Sequence, residues 1–328
     1  MIRNLKSRTS LKKLCLRLPI LGPMVAHRDA LIAENIELAR QISRPAPRAN
    51  TLSGIVNPAH YSNAEWLALH HELSNYSIDK HCFQNCSGEI YRKGWEWTQC
   101  LYGLRELQML KPEYRALGVG VGRESVIYYL ADHIAHVMAT DLYGAQSWSS
   151  QGGREADLAL LEASKAYCPV SVNFSKITFE NQDGTHLTYA NDSFDFAWSL
   201  SSIEHFGGHA AATKAMQEMA RVVRPGGVVA VATEMLLLEE YSHPEYFTQS
   251  EIMAELLNPC PELEIIGHID FDALPSTFLV DQIVIPAGAD RRRRHVVLND
   301  GNVQWTSILM FFRVRETSAP LDRPQTAR

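Results

Sequence analysis

The chain has 328 residues, 46% of them hydrophobic and 21% charged, with a formal net charge of −6. That length exceeds one average domain, and that composition supports a packed core rather than a disordered chain. The mild negative charge gives no global reason to expect nucleic-acid binding, and no run reaches the ~18 apolar residues of a membrane-spanning helix.

Six cysteines (Cys15, Cys82, Cys86, Cys100, Cys168, Cys260) are scattered without a CxxC pair. This pattern reads as reduced thiols, and a cytoplasmic location is expected. His81, Cys82, Cys86 and Cys100 lie close in sequence, but their spacing fits no standard finger and no metal is expected.

Residues 1–25 carry Arg3, Lys6, Arg8, Lys12, Lys13 and Arg17 without an acid, and Leu11, Leu14, Cys15 and Leu18 follow helical spacing. A basic amphipathic segment can lie on an anionic membrane surface, here the inner one. A solvated arm or a helix packed on the core accounts for it equally well. Pro19, Gly22 and Pro23 interrupt the apolar run, which argues against a cleaved secretion signal. Residues 27–42 read as an amphipathic helix and 43–54 as a proline-bearing linker. The expected division is a basic arm and linker over 1–54, a helical cap over 55–111, a domain over 112–316 and a disordered tail over 317–328. In the cap, Trp95, Trp97 and Tyr102 are spaced so that some face inward, as packing residues rather than as a lid.

From residue 112 short apolar runs alternate with helical patterns. Strands are expected at 114–120, 136–141, 172–180, 194–201, 226–235, 262–271 and 303–314. Helices are expected at 123–132, 153–167, 211–223 and 251–258. The alternation predicts an α/β sheet, mostly parallel and covered on both faces. No helical pattern separates the last two strands, so one of them is expected to be antiparallel.

The segment LGVGVGRES places Gly118, Gly120 and Gly122 between the first strand and the first helix. Glycines there let a ligand approach the backbone at the carboxyl ends of the strands. A dinucleotide fingerprint would read GxGxxG, whereas Arg123 stands where the last glycine of that fingerprint would come. Asp141 ends the second strand, where a carboxylate can accept two hydrogen bonds from a ribose diol. This suits NAD and S-adenosylmethionine alike, and a turn or capping role is the alternative.

Further on stand DGTHLTYANDSFDFAWSLSSIEHF, residues 183–206, and RVVRPGG, residues 221–227. With the glycine loop, these resemble the class I S-adenosylmethionine-dependent methyltransferases, in the family's order, over residues 112–316. The resemblance implies a Rossmann-like, seven-stranded, mostly parallel sheet with S-adenosylmethionine at the glycine loop. It assigns Asp183 to the adenine amino group and adds Gly184 and Ser199 to the expected cofactor contacts. It also implies an acid–histidine pair after the fourth strand, here Glu204-His205, and a turn at Arg224-Pro225-Gly226-Gly227. A looser resemblance, carried by LGVGVGRE, ATDL and EHFGG, is to bacterial methyltransferases of surface-glycan biosynthesis. The chain departs from the family where an acid usually helps hold the methionine ammonium group, since Gly118 occupies that place. Glu124, where the family has glycine, either takes over part of that role or favours the helix dipole.

Methyl transfer to oxygen is an in-line displacement that gains from alignment and from a base near the methyl group. His205 is the first candidate base. Glu204 could orient it or touch the cofactor, and His209 and Glu234 are further candidates. Arg291 to Arg294 form either an acidic-ligand site or a solvated loop, and Trp148 either covers the adenine or packs. The expected activity is O-methylation of a sugar, glycan or other small-molecule hydroxyl. The alternatives are an NAD(P)-dependent oxidoreductase, for which Tyr76-x-x-x-Lys80 lies on the wrong side of the loop, and a non-catalytic cofactor-binding partner protein. Oligomeric state is not legible.

Overall fold

A computed structural model describes residues 51–77, 91–143, 170–271, 283–284 and 296–316. The basic segment 1–25, the helices expected at 27–42 and 153–167, His81, Cys82, Cys86, Trp148, Arg291 to Arg294 and the tail 317–328 lie outside the described residues.

Among the described residues eleven strands form one sheet, where seven were expected. They are β1 (Ser53–Ile55), β2 (Arg115–Val119), β3 (His136–Asp141), β4 (Ile177–Asn181), β5 (Phe194–Leu200), β6 (Val223–Leu236), β7 (Leu263–Ile265), β8 (Ile269–Asp270), β9 (Ile283–Val284), β10 (Leu298–Asn299) and β11 (Gln304–Val314). The seven expected strands are β2 to β7 and β11. The additional β1, β8, β9 and β10 are two or three residues long, too short to show an alternating pattern. The strand expected over 262–271 is split into β7 and β8, with Gly267 between them at φ +75°.

The sheet runs β4-β3-β2-β5-β6-β11-β1-β8, with β7 and β10 also on β11. Neighbours from β4 through β6 are parallel. Every antiparallel ladder among the described residues is made by β11, with β6, β1, β7 and β10. The boundary drawn at residues 54/55 falls inside β1, whose Gly54 pairs with Leu309.

Side chains alternate along the strands, so Ala230 and Ala232 enter one core while Val229 and Val231 enter the other. The first core is covered by α1 (Ala64–Ser74), α2 (Arg92–Glu106) and α3 (Val126–His133), and the second by α4 (His209–Val222). Asn63 caps α1 by accepting from Glu65 N–H at 2.9 Å and Trp66 N–H at 3.2 Å. Ten of the fifteen residues of α2 are buried. A Cβ on Gly103 would lie 2.2 Å from Phe311 Cζ, so glycine is what lets α2 rest on β11. Trp66, Trp95 and Leu101 share a core with Trp198 and Phe311, so α1 and α2 pack as part of the domain. Cys100 is wholly buried there, and burial pushes its thiol pKa up.

The Arg224–Gly227 stretch does not precede its strand, because β6 already begins at Val223. Gly226 has φ +77°, and the β5–β6 register shifts between Phe194 and Phe196, so the motif forms an irregularity within the ladder. No helix among the described residues is long and apolar enough to cross a membrane.

Candidate active site

Strand β2 lies between β3 and β5, so chain order reverses there and a crevice opens at the strands' carboxyl ends. One lip is the loop at Gly120–Gly122 and the other is the turn that follows β5. Ser202 Oγ joins them by donating to Gly120 O at 2.7 Å. Gly120 has φ +71°, and a Cβ there would stand 2.5 Å from Ser202 Cβ. A Cβ on Gly184 would stand 2.5 Å from Phe206 Cε2 and 2.8 Å from Val119 Cγ1. Two of the expected cofactor glycines therefore lie where any side chain would fill the crevice wall.

Gly118 has a different reason. Its Cβ would meet Val121 Cγ2 at 2.3 Å and Trp198 Cζ2 at 2.5 Å. The Trp198 ring occupies the space above Gly118, and its Nε1–H donates to Glu124 Oε1 at 3.0 Å. Glu124 Oε2 accepts from Gly122 N–H at 3.1 Å. Both carboxylate oxygens thus brace the loop from within. Burial pushes the Glu124 pKa up to about 7, against the lowering effect of these two hydrogen bonds.

Asp141 ends β3 beside the loop, and burial pushes its pKa up to about 6. Asp183 is exposed, and its Oδ1 accepts from Thr185 N–H and Oγ–H at 2.8 and 2.7 Å, so it shapes the turn that carries Gly184. Ser199, another of the expected cofactor contacts, lies inside the sheet. It is fully buried one residue before the end of β5, in the sheet interior, with no hydrogen-bond partner for Oγ among the described residues.

Glu204 and His205 share the short turn Ile203–Phe206 but face different ways. Glu204 is fully buried, and Oε2 accepts from Thr233 Oγ1 at 3.0 Å while Oε1 has no partner among the described residues. Burial and the neighbouring Glu234 push its pKa up to about 8. His205 is partly exposed, with Nδ1 3.2 Å from Glu245 Oε2. Burial, partly opposed by Glu245, lowers its pKa, which favours the neutral ring a base requires. His209 is engaged at both ring nitrogens, by Glu255 Oε2 at 2.8 Å and Tyr246 O at 3.0 Å. With Glu251 it forms a trio whose ligand atoms lie within 4.8 Å, but Glu251 is held in the capping box of Thr248.

Glu234, near the carboxyl end of β6, is buried against Arg92. Arg92 Nη1 also donates to Glu96 Oε1 at 3.3 Å and Ser307 Oγ at 2.8 Å. Glu96 Oε2 receives Lys93 Nζ at 3.1 Å and Ser201 Oγ at 2.9 Å. Burial alone would raise the Glu96 pKa, but Lys93 and Arg92 hold it below the usual range. Glu234 Oε2 has no partner among the described residues. Sequence reasoning missed Arg92, Lys93, Glu96 and the role of Trp198. One signal was available: α2 opens on two cations with no acid in its first turn and no side-chain cap. Cations oppose the dipole there unless carboxylates face them.

The residues fit the nucleoside end of S-adenosylmethionine: Gly120 and Gly184 admit no side chain, and Asp141 ends β3 at the same end of the sheet. A stretch of 57 residues is 44% identical to methyltransferase GfsG of Streptomyces halstedii, covering 17% of this chain and 19% of that protein. A stretch of 55 residues is 49% identical to the ubiquinone/menaquinone biosynthesis C-methyltransferase UbiE of Bdellovibrio bacteriovorus, covering 17% and 22%. The chain thus spans about a fifth of the length of the curated relatives it matches. A solved SAM-dependent methyltransferase of Methanosarcina mazei is 16% identical at a TM-score of 0.41, over 64% of this chain and 96% of that one. Residues 117–231, from β2 into β6, match the family model described as a methyltransferase domain, and S-adenosylmethionine is the cofactor indicated.

Proposed function

We propose that the protein is an S-adenosylmethionine-dependent methyltransferase whose acceptor atom is a hydroxyl oxygen of a small molecule, a sugar among the candidates. The observation that carries the reading is the glycine loop held against the turn after β5 by the Ser202–Gly120 bond, at the carboxyl ends of the strands, where Asp141 ends β3. The cofactor supplies a methyl group on a positively charged sulfur. Gly120 and Gly184 let the loop and the Asp183 turn close on Ser202 and Phe206, Asp141 offers two acceptor oxygens to a ribose diol, and Glu124 with Trp198 fixes the loop. The acceptor must lose a proton, and His205 and Glu234 are the neighbouring groups able to take one.

Calorimetric titration with S-adenosylmethionine, S-adenosylhomocysteine and NAD tests the reading. Micromolar binding of the first two and none of NAD is expected, and Asp141→Ala and Gly120→Arg should each abolish it. Binding of NAD alone, or binding that survives both substitutions, overturns it.

A further inference from the structure

Ser201, the residue after β5, has φ +50°, a conformation that a side chain other than that of asparagine or aspartate rarely adopts. Along β5, Phe196, Trp198 and Leu200 enter the first core and Ala197 the second. Continued alternation would send Ser201 away from α2, which lies over the first core. Its Oγ instead donates to Glu96 Oε2 of α2 at 2.9 Å, and its N–H donates to Ala232 O at 2.9 Å. The left-handed backbone thus turns the chain where the strand ends, and these two bonds hold it there. The next residue makes the contact that closes the glycine loop: Ser202 Oγ donates to Gly120 O at 2.7 Å, and Gly120 is itself at φ +71°. Two segments of unfavourable backbone are fastened to each other, and Glu96, from outside residues 117–231, fastens them to α2.

Glu96 is fixed independently of Ser201. It is wholly buried, and Oε1 accepts from Arg92 Nη1 at 3.3 Å and from Ser307 Oγ of β11. Its Oε2 accepts from Lys93 Nζ at 3.1 Å besides Ser201 Oγ. All four partners donate, and only an ionised carboxylate presents acceptors to them all. Two cations on its own helix make that buried charge tolerable. The carboxylate is therefore a stationary acceptor, and Ser201 is the group that turns to meet it.

We propose that Glu96 is a positioning residue for the cofactor site: by holding Ser201 in its left-handed conformation it sets Ser202 against the glycine loop. The proposal rests on the methyl-transfer reading above. It makes α2 part of the apparatus that shapes the loop, acting through Ser201 and Ser202 rather than by contact with the cofactor.

The test is calorimetric titration of the full chain with S-adenosylhomocysteine, comparing the wild type with Ser201→Ala, Ser201→Gly and Glu96→Gln. Ser201→Ala removes the bond to Glu96 and keeps the backbone cost, whereas Ser201→Gly removes both, since glycine takes a positive φ freely. Apparent affinity falls with the fraction of molecules that hold the turn. Ser201→Ala is therefore expected to weaken binding about tenfold, the worth of one hydrogen bond to a charged group. Ser201→Gly is expected to bind more tightly than Ser201→Ala. Glu96→Gln sets an amide N–H2 among these donors and should weaken binding, and adding Ser201→Gly to it should restore affinity. A purely structural loss would not be repaired by deleting a second side chain. Wild-type affinity in Ser201→Ala, or binding by Ser201→Gly no tighter than by Ser201→Ala, overturns the proposal. Should Glu96→Gln fail to fold, the two Ser201 variants decide alone. Failure of the wild-type chain to bind S-adenosylhomocysteine removes the methyl-transfer reading itself, and this proposal with it.

Discussion

The indole N–H of Trp198 donates to Glu124 at 3.0 Å, joining the middle strand of the sheet to the loop in front of it. This contact explains two departures from the usual loop together. Gly118 is small because the Trp198 ring lies over it, and Glu124 is acidic because that ring and Gly122 both present N–H donors. The carboxylate is buried by these same neighbours, and its stability contribution has a definite sign. Its folded pKa, about 7, lies above the ordinary 4.5, so the folded state holds the extra proton between those values. Stability is therefore greatest below that window and falls as pH rises through it, by up to about 3 kcal/mol. Glu204, pushed to about 8, acts in the same direction. Thermal denaturation followed from pH 5 to 8 should show the decline, and Glu124→Gln should make it shallower. An equal slope in the variant would show that Glu124 titrates normally.

Gly118→Ala puts a methyl group against Trp198 and Val121 at contact distances no side chain sustains. Overpacking of this kind costs about 1–3 kcal/mol. Urea denaturation should show that loss, and Gly118→Ala combined with Trp198→Phe should be less damaging than the sum of the two single changes.

Arg92→Met leaves Glu234 and Glu96 buried without their shared cation. Breaking a buried pair from one side costs about 3–5 kcal/mol, and the same denaturation assay measures it. Arg92→Lys keeps the charge but not the position of Nη1, which alone reaches Glu234, Glu96 and Ser307, so it should recover part of the loss.

Gly120→Ala and Gly226→Ala form a matched pair. Both glycines have positive φ, +71° and +77°, so both substitutions carry the left-handed backbone cost of about 1–2 kcal/mol. Only Gly120 also faces Ser202 and Phe206, whereas nothing lies within 4 Å of a Cβ at Gly226. Calorimetry should show S-adenosylhomocysteine affinity reduced at least tenfold by the first and unchanged by the second.

The sequence revealed what is long, periodic or local. Strands β2, β3, β5 and β11 fall within a residue or two of their expected bounds, since buried apolar residues recur along each, in a run in β2, β5 and β11 and in alternation at Val137 and Ala139 in β3. The loop at Gly120, the strand end at Asp141 and the turn at Asp183 were legible as such because loop chemistry is read from neighbours. The polar cluster was not. Arg92 and Glu234 are 142 positions apart, and nothing near either residue marks the other. Nor could adjacency show that Glu204 turns inward to Thr233 while His205 turns toward Glu245, because a short helical turn sends successive side chains to different sides.

The position of β11 has a consequence for synthesis. The last of the described strands lies inside the sheet, with β6 along one edge and β10, β1 and β7 along the other. Ser53, among the first described residues, bonds Phe311 across 258 positions. Until Gln304–Val314 arrives, the fourteen-residue β6 presents an open edge, and β1 waits without its central partner. Such non-local closure is slow, and an unpaired apolar edge invites association with other chains. A nascent chain stopped short of β11 is therefore a split sheet, and it should be held by chaperones until this eleven-residue strand slides into the middle.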